Sequence, residues 1–144
     1  MATGDITVFN VARAKMISGN WASTDAFYCA ICDDTTTPTA STATPVIGDF
    51  TQVGASGSYT NNGTSLGALS ALVSEAGGTM TFDSSTNPTW SQDASNDTDA
   101  TWGIIYNFTD AGKDALAFVE LGGPVNMATG ALTITWPAGG IFTI

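Results

Sequence analysis

Histidine is absent from the 144 residues, and cations are nearly so: Arg13, Lys15 and Lys113 stand against 13 acidic side chains, for a net charge of -10. Without an imidazole the common general base near neutral pH is missing, and Ser-His-Asp or Cys-His nucleophile systems cannot be assembled. Three cations cannot supply the phosphate contacts that nucleic-acid affinity needs, and the negative balance repels polyanions, so nucleic acid is excluded as a partner. Charged residues of both signs make up only 11% of the chain, against about 25% in ordinary soluble domains. Thr, Ser, Asn, Ala and Gly must therefore build most of the surface. No apolar run reaches the length of about 18 residues that a transmembrane helix requires, so no membrane partner is expected. Met1 to Thr7 has no basic segment followed by an apolar block, and no secretion signal is expected.

Cysteine is scarce as well. Cys29 and Cys32 stand in Phe-Tyr-Cys-Ala-Ile-Cys-Asp, a strand-like run. Positions three apart on a strand point to opposite faces, so this pair cannot readily close a disulfide or act as a redox couple. With no histidine and no second cysteine pair, a zinc site within one chain lacks ligands. Two reduced, mostly buried thiols and no cofactor are expected.

What is present points to a folded β protein. Hydrophobic residues at 43% and aromatics at 10% favour a packed core over disorder, and the length fits one domain, residues 1–144. Four apolar runs occupy residues 101–144, broken by Asp-Ala-Gly, Gly-Gly-Pro and Pro-Ala-Gly-Gly, and they read as a consecutive antiparallel unit ending in a paired strand. In the third run Leu132, Ile134 and Trp136 alternate with Thr133 and Thr135, which places those three on a buried face. Residues 5–18 are the one helix candidate, with Val8, Val11, Ala12 and Met16 on one face and Gly19 as the stop; a β reading of Ile6 to Val11 is the alternative. The fold expected is mainly β, an antiparallel sandwich or barrel-like domain with one short N-terminal helix.

Between the two ends, Ala26 to Cys32 reads as a buried strand. Residues 33–45, rich in Thr and Pro, read as a polar loop or arm without an apolar anchor. Ser65 to Val73 fits strand or helix and is assigned to strand, Thr79 to Asp83 is a short amphipathic strand, and Asn87 to Trp90 is a turn. The acidic run at Asp93, Asn96, Asp97 and Asp99 has oxygen ligands for Ca²⁺, but it lacks the Gly and distal Glu of an EF-hand loop, so a solvated loop is the simpler reading. Sequons at Asn62, Asn96 and Asn107 carry little weight without a secretion signal. A glycosidase-like carboxylate pair would have to come from Asp33, Asp34, Asp110, Asp114 or Glu120. Each of these lies beside turn residues, and no catalytic residue is assigned.

Read from both ends, the chain resembles small virion structural proteins of tailed bacteriophages. The N-terminal part of the likeness is the helix Phe9 to Lys15, Ser18 to Trp21, and the strand Phe27 to Asp33, which in such proteins looks like Ile-Lys-Val-Ala-Leu-Val-Asp. The C-terminal part runs through Thr101 to Tyr106, the turn at Thr109 and Asp110, Leu116 to Leu121, Gly122-Gly123-Pro124, Gly130 to Trp136, and Ala138 to Ile144. About half the chain is covered, and the middle, residues 34–78, departs from the pattern.

The resemblance implies a non-enzymatic capsid decoration or cement protein, assembled in the host bacterial cytoplasm and seated on the outer capsid surface of the virion. Its implied partners are the major capsid protein and copies of itself, in a homo-oligomer such as a trimer. The alternative it leaves is a tail or fibre component, or a receptor- or glycan-binding module. Interface candidates are Trp21, Thr37, Pro38, Pro45, Tyr59, Trp90, Ile141 and Phe142, since large aromatics and reaching loops dominate such contacts. Trp21, Tyr59, Trp90 and Trp102 are expected to divide between core and interface.

Overall fold

The computed structural model describes residues 4–144, in the chain order β1 (Ile6–Val8), α1 (Asn10–Ser18), β2 (Ala26–Cys32), β3 (Thr64–Ala68), α2 (Leu69–Leu72), β4 (Val73–Ala76), β5 (Thr79–Phe82), β6 (Thr89–Trp90), β7 (Ala100–Asn107), β8 (Ala115–Val125), β9 (Leu132–Thr133) and β10 (Phe142–Thr143). Residues 1–3, part of the stretch scanned for a secretion signal, lie outside the described residues.

The most apolar runs of the sequence form the middle of a five-stranded antiparallel sheet in the order β1-β8-β7-β2-β3. Every residue of β7 is buried, as a central strand covered on both faces requires. On one face Phe27 packs edge-on against Trp21 and Phe82 at ring distances of 5.3 and 5.7 Å. That face looks toward a second layer made of the sheet β10-β5-β4 and the pair β6-β9. On the other face Phe118 meets Phe9 at 5.0 Å and Trp102 at 6.1 Å, with Phe50 beyond Phe9. The mainly β, antiparallel, sandwich-like expectation holds, with one short helix near the N-terminus. Leu132, Ile134 and Trp136 are all buried, as their alternation predicted.

Four expectations are corrected. The helix does not begin at residue 5: Ile6–Val8 is a strand paired with Val119, Phe118 and Ala117, and α1 starts after Phe9, whose extended backbone and fully buried ring separate the two elements. Gly19 does end the helix, in the left-handed region, with amides at Gly19 and Asn20 returning to Met16 and Lys15 carbonyls. The C-terminal runs are not one consecutive unit. Only β7 and β8 form a hairpin, whereas β9 pairs with β6 and β10 with β5, because the Gly/Pro segments are long enough to carry the chain to the second layer.

Residues 33–45 are not an unanchored arm. Pro38 and Pro45 are buried, the Asn10 amide bonds the Ala40 carbonyl at 2.9 Å, and the Ala115 amide bonds the Pro45 carbonyl at 2.8 Å. The sequence disguised this because proline counts as a loop former while its ring is apolar enough to fill a core position. Finally, residues 65–73 are not one strand. A helical turn, α2, interrupts them, its first two amides held by the Asp25 and Ser23 carbonyls, and it turns Leu72 into the core.

Candidate functional site

The predicted interface residues are mostly core residues. Trp21 is 6% exposed, Tyr59 2%, Trp90 4% and Ile141 4%, and Pro38 and Pro45 are buried too. Their polar atoms are engaged inside the domain: the Trp21 indole donates to Asp114 at 3.2 Å, and the Tyr59 hydroxyl donates to Gln52 Oε1 at 2.9 Å while accepting from the Ile31 amide at 3.1 Å. Trp102 is buried against Phe118 and its indole N–H has no partner within the described residues. Of the eight candidates only Thr37 is exposed, with Phe142 half-buried and stacked on Phe82 at 5.0 Å. A domain of this size needs its large aromatics for its own core, and no surplus was left for contacts.

The acidic run is a clasp. Asn96 is buried; its side-chain oxygen accepts from the Ser58 and Tyr59 amides at 2.9 and 3.3 Å, and its nitrogen donates to the Ser91 and Met127 carbonyls at 3.0 and 3.2 Å. Asp97 accepts from the Gly54 amide, and Asp93 caps the Ser95 amide at 2.9 Å. One asparagine thus ties three separate loops, and the Asn96 sequon is a structural group. So is Asn107, fully buried, whose amide oxygen accepts from Thr109 and Asp110 and whose nitrogen donates to Asp25. Among the described residues no three acidic or cysteine side chains converge as a metal site requires, so the calcium candidate at Asp93, Asn96, Asp97 and Asp99 has no preformed cage. Asp99 titrates above the usual carboxylate range, chiefly through desolvation and then through the charges of Asp97, Asp33 and Asp34.

Five further carboxylates are likewise committed. Asp114 is half-buried and receives both Lys15 and the Trp21 indole, binding α1 to the start of β8. Asp110 accepts from Gly112, Asp33 from Thr35, Asp49 from Val46 and Glu75 from Gly78, each within three residues along the chain. Lys113 donates to the Phe108 carbonyl and lies 4.0 Å above the Phe108 ring. Cys29 and Cys32 are free and buried; burial, then the charge of Asp33, pushes the Cys32 thiol up to about 12, and complete burial raises Cys29 as well.

Two concavities stand out among the described residues. One, of about 190 Å³, lies between β1, β8 and residues 132–136, with Ile6, Val119, Leu121, Ile134 and Trp136 in its wall and Glu120 as its acid. The other, of about 260 Å³, is lined by Met16, Trp21, Leu69, Val73 and Met80 with the hydroxyls of Ser23 and Ser70. Neither brings two carboxylates together, and neither sets a hydroxyl beside a base. Sequence reasoning missed the second groove because its wall joins residues 16–23 to residues 69–80, two stretches distant in the chain with no shared motif. The available signal was Met16, apolar near the end of α1 and only partly buried against the core.

No protein-family model matches the chain, and neither the curated proteins nor the solved structures contain a match to it.

Proposed function

We propose that this chain is a non-enzymatic structural protein of a tailed-phage virion, a decoration or cement protein that binds the outer capsid shell and stabilises it through contacts with the major capsid protein and with further copies of itself. The observation that carries the reading is how the charge is disposed. Five of the acidic side chains, Asp33, Asp49, Glu75, Asp93 and Asp110, accept from backbone amides of their own turns, and both concavities are lined by apolar and hydroxyl-bearing residues with at most one acid. A surface of that kind buries few ions on association, which spares the several kcal/mol that each desolvated, unpaired charge costs. The antiparallel β framework and the likeness at both ends of the chain support the same reading.

The test compares virions that carry the chain with virions that lack it. Heated in parallel, the deficient particles are expected to release their DNA at a lower temperature, and the purified chain added back should restore the difference. Virions that purify without the chain, or that show identical release curves in both forms, overturn the reading.

A further inference from the structure

The second groove adjoins an open strand edge, and the hydrogen-bond register shows which backbone groups face outward. In the hairpin of β4 and β5, Val73 pairs with Phe82, Ser74 with Thr81, Glu75 with Met80 and Ala76 with Thr79. Met80 exchanges both of its backbone bonds with Ile144, at 3.1 and 2.9 Å, on the far side of β5. Its N–H and C=O therefore point away from β4, and Glu75 opposite it belongs to a non-bonded pair. It follows that Glu75 turns its own N–H and C=O out of the sheet, and β4 is the end of that sheet. The strand Val-Ser-Glu-Ala carries no lysine, no proline and no bulge to blunt the edge.

Side-chain alternation places Val73, Glu75, Met80 and Phe82 on one face of the hairpin, and Val73 and Met80 line the groove. Glu75 thus stands on the rim of an apolar trough whose far wall is Met16 and Trp21. Of the three cations, Lys15 is held by Asp114 and Lys113 by the Phe108 carbonyl and ring, and Arg13 stands exposed on α1 one turn before Met16, so charge complementarity at this edge rests on the Glu75 carboxylate and the net charge of -10.

We infer that β4 and its groove form a docking site for an extended segment of another protein that alternates a bulky aliphatic residue with lysine or arginine along one face. The segment pairs its backbone with Glu75, sets the aliphatic side chain beside Val73 in the groove, and brings its cation to Glu75 Oε2, the oxygen opposite the one that accepts from the Gly78 amide, and to the field of a chain with net charge -10. A second copy of this chain fits less well: pairing two β4 edges brings an acidic strand, and a second body of the same net charge, against the first. The inference stands apart from the virion reading, since it specifies the partner by chemistry alone.

The probe is a blocked peptide of repeating Leu-Thr-Lys-Thr, which as a strand shows leucine and lysine alternately on one face. Titrated into ¹⁵N-labelled full chain, it is expected to shift the Glu75 amide and the Trp21 indole N–H together. Glu75→Pro removes the outward N–H at an edge position where proline is tolerated, and is expected to weaken binding by about tenfold; Glu75→Lys should reverse the preference toward a Leu-Thr-Glu-Thr peptide. Shifts that avoid both reporters, or binding unchanged in both variants, overturn the inference. Concentration-dependent dimerisation abolished by Glu75→Pro overturns it in favour of a second copy.

Discussion

At the scale of single residues the sharpest constraint is Asp114. Its half-buried carboxylate receives Lys15 from α1 and the Trp21 indole, 99 and 93 residues away along the chain. Asp114→Ala strips the acceptor from both donors and is expected to cost about 2 to 3 kcal/mol in urea unfolding, with Asp114→Asn costing about half as much because one acceptor remains. If the two variants unfold like the parent, the hub is not one. Gly103 and Gly63 are among the glycines whose close approaches leave no room for a Cβ. A Cβ on Gly103 would lie 2.8 Å from Val119 Cγ1 and 2.9 Å from Ile134 Cδ1, between the sheet and the second layer. One on Gly63, at φ +76°, would overlap the Cys29 carbonyl oxygen and come within 2.7 Å of Ala30 Cα. Gly103→Ala is therefore expected to cost about 1 to 3 kcal/mol, and Gly63→Ala more, because backbone cannot yield as a side chain can. None of these three roles is visible in the sequence, where each residue reads as turn or strand punctuation. Long-range partners are the part of a fold that local pattern does not encode.

At the scale of elements, legibility followed amphipathicity. Leu132, Ile134 and Trp136 were assigned to the core from strict alternation, and the structure buries all three, with the Trp136 indole donating to the Thr86 carbonyl at 2.7 Å. Trp136→Ala should cost about 3 to 5 kcal/mol by the same unfolding assay. The strand at residues 79–82 and the stop at Gly19 were equally readable. Where the pattern was short, competing tertiary contacts decided. Three alternating residues at Ile6–Val8 look like the first turn of the helix that follows, until β8 offers them a ladder. Residues 33–45 looked dispensable for want of an apolar anchor, but Pro38 and Pro45 supply one. Deleting residues 34–45, which on the sequence alone should leave the domain folded and only weaken its attachment to a shell, is now expected to unfold the domain or lower its melting temperature by many degrees, because it also removes the carbonyls that Asn10 and Ala115 use. Retention of the parent's melting curve would restore the flexible-arm reading. Sites fared worse than elements: the aromatics proposed for contacts became core, and the groove beside β4 was assembled from segments with no common motif.

At the scale of the whole molecule, the composition was legible before the fold was. Its consequence is a domain whose titration is dominated by acids and by buried neutral groups, with no histidine to respond between pH 5 and 8. Cys29, Cys32, Tyr59 and Tyr106 all have their ionisation raised, in each case chiefly by burial, with Cys32 reaching about 12. The sign follows from proton linkage. In the unfolded chain thiols ionise near about pH 8.5 and phenols near about 10, whereas in the folded domain they hold their protons beyond that. The stabilisation is complete below the unfolded values and is lost as pH climbs through the folded ones. Each such group withdraws about 1.4 kcal/mol of stability per pH unit once only its unfolded form is ionised. Stability should thus be nearly level from about pH 6 to about pH 8 and fall with increasing steepness from about pH 9 to about pH 12. Net charge adds to the fall, since a chain already at -10 gains further negative charge, and salt should recover only that part because buried groups are poorly screened. Urea midpoints measured across this range at low and high salt separate the two contributions. A decline abolished by salt would assign it to surface repulsion, and a level profile to about pH 11 would show that these thiols and phenols are not buried as the fold requires.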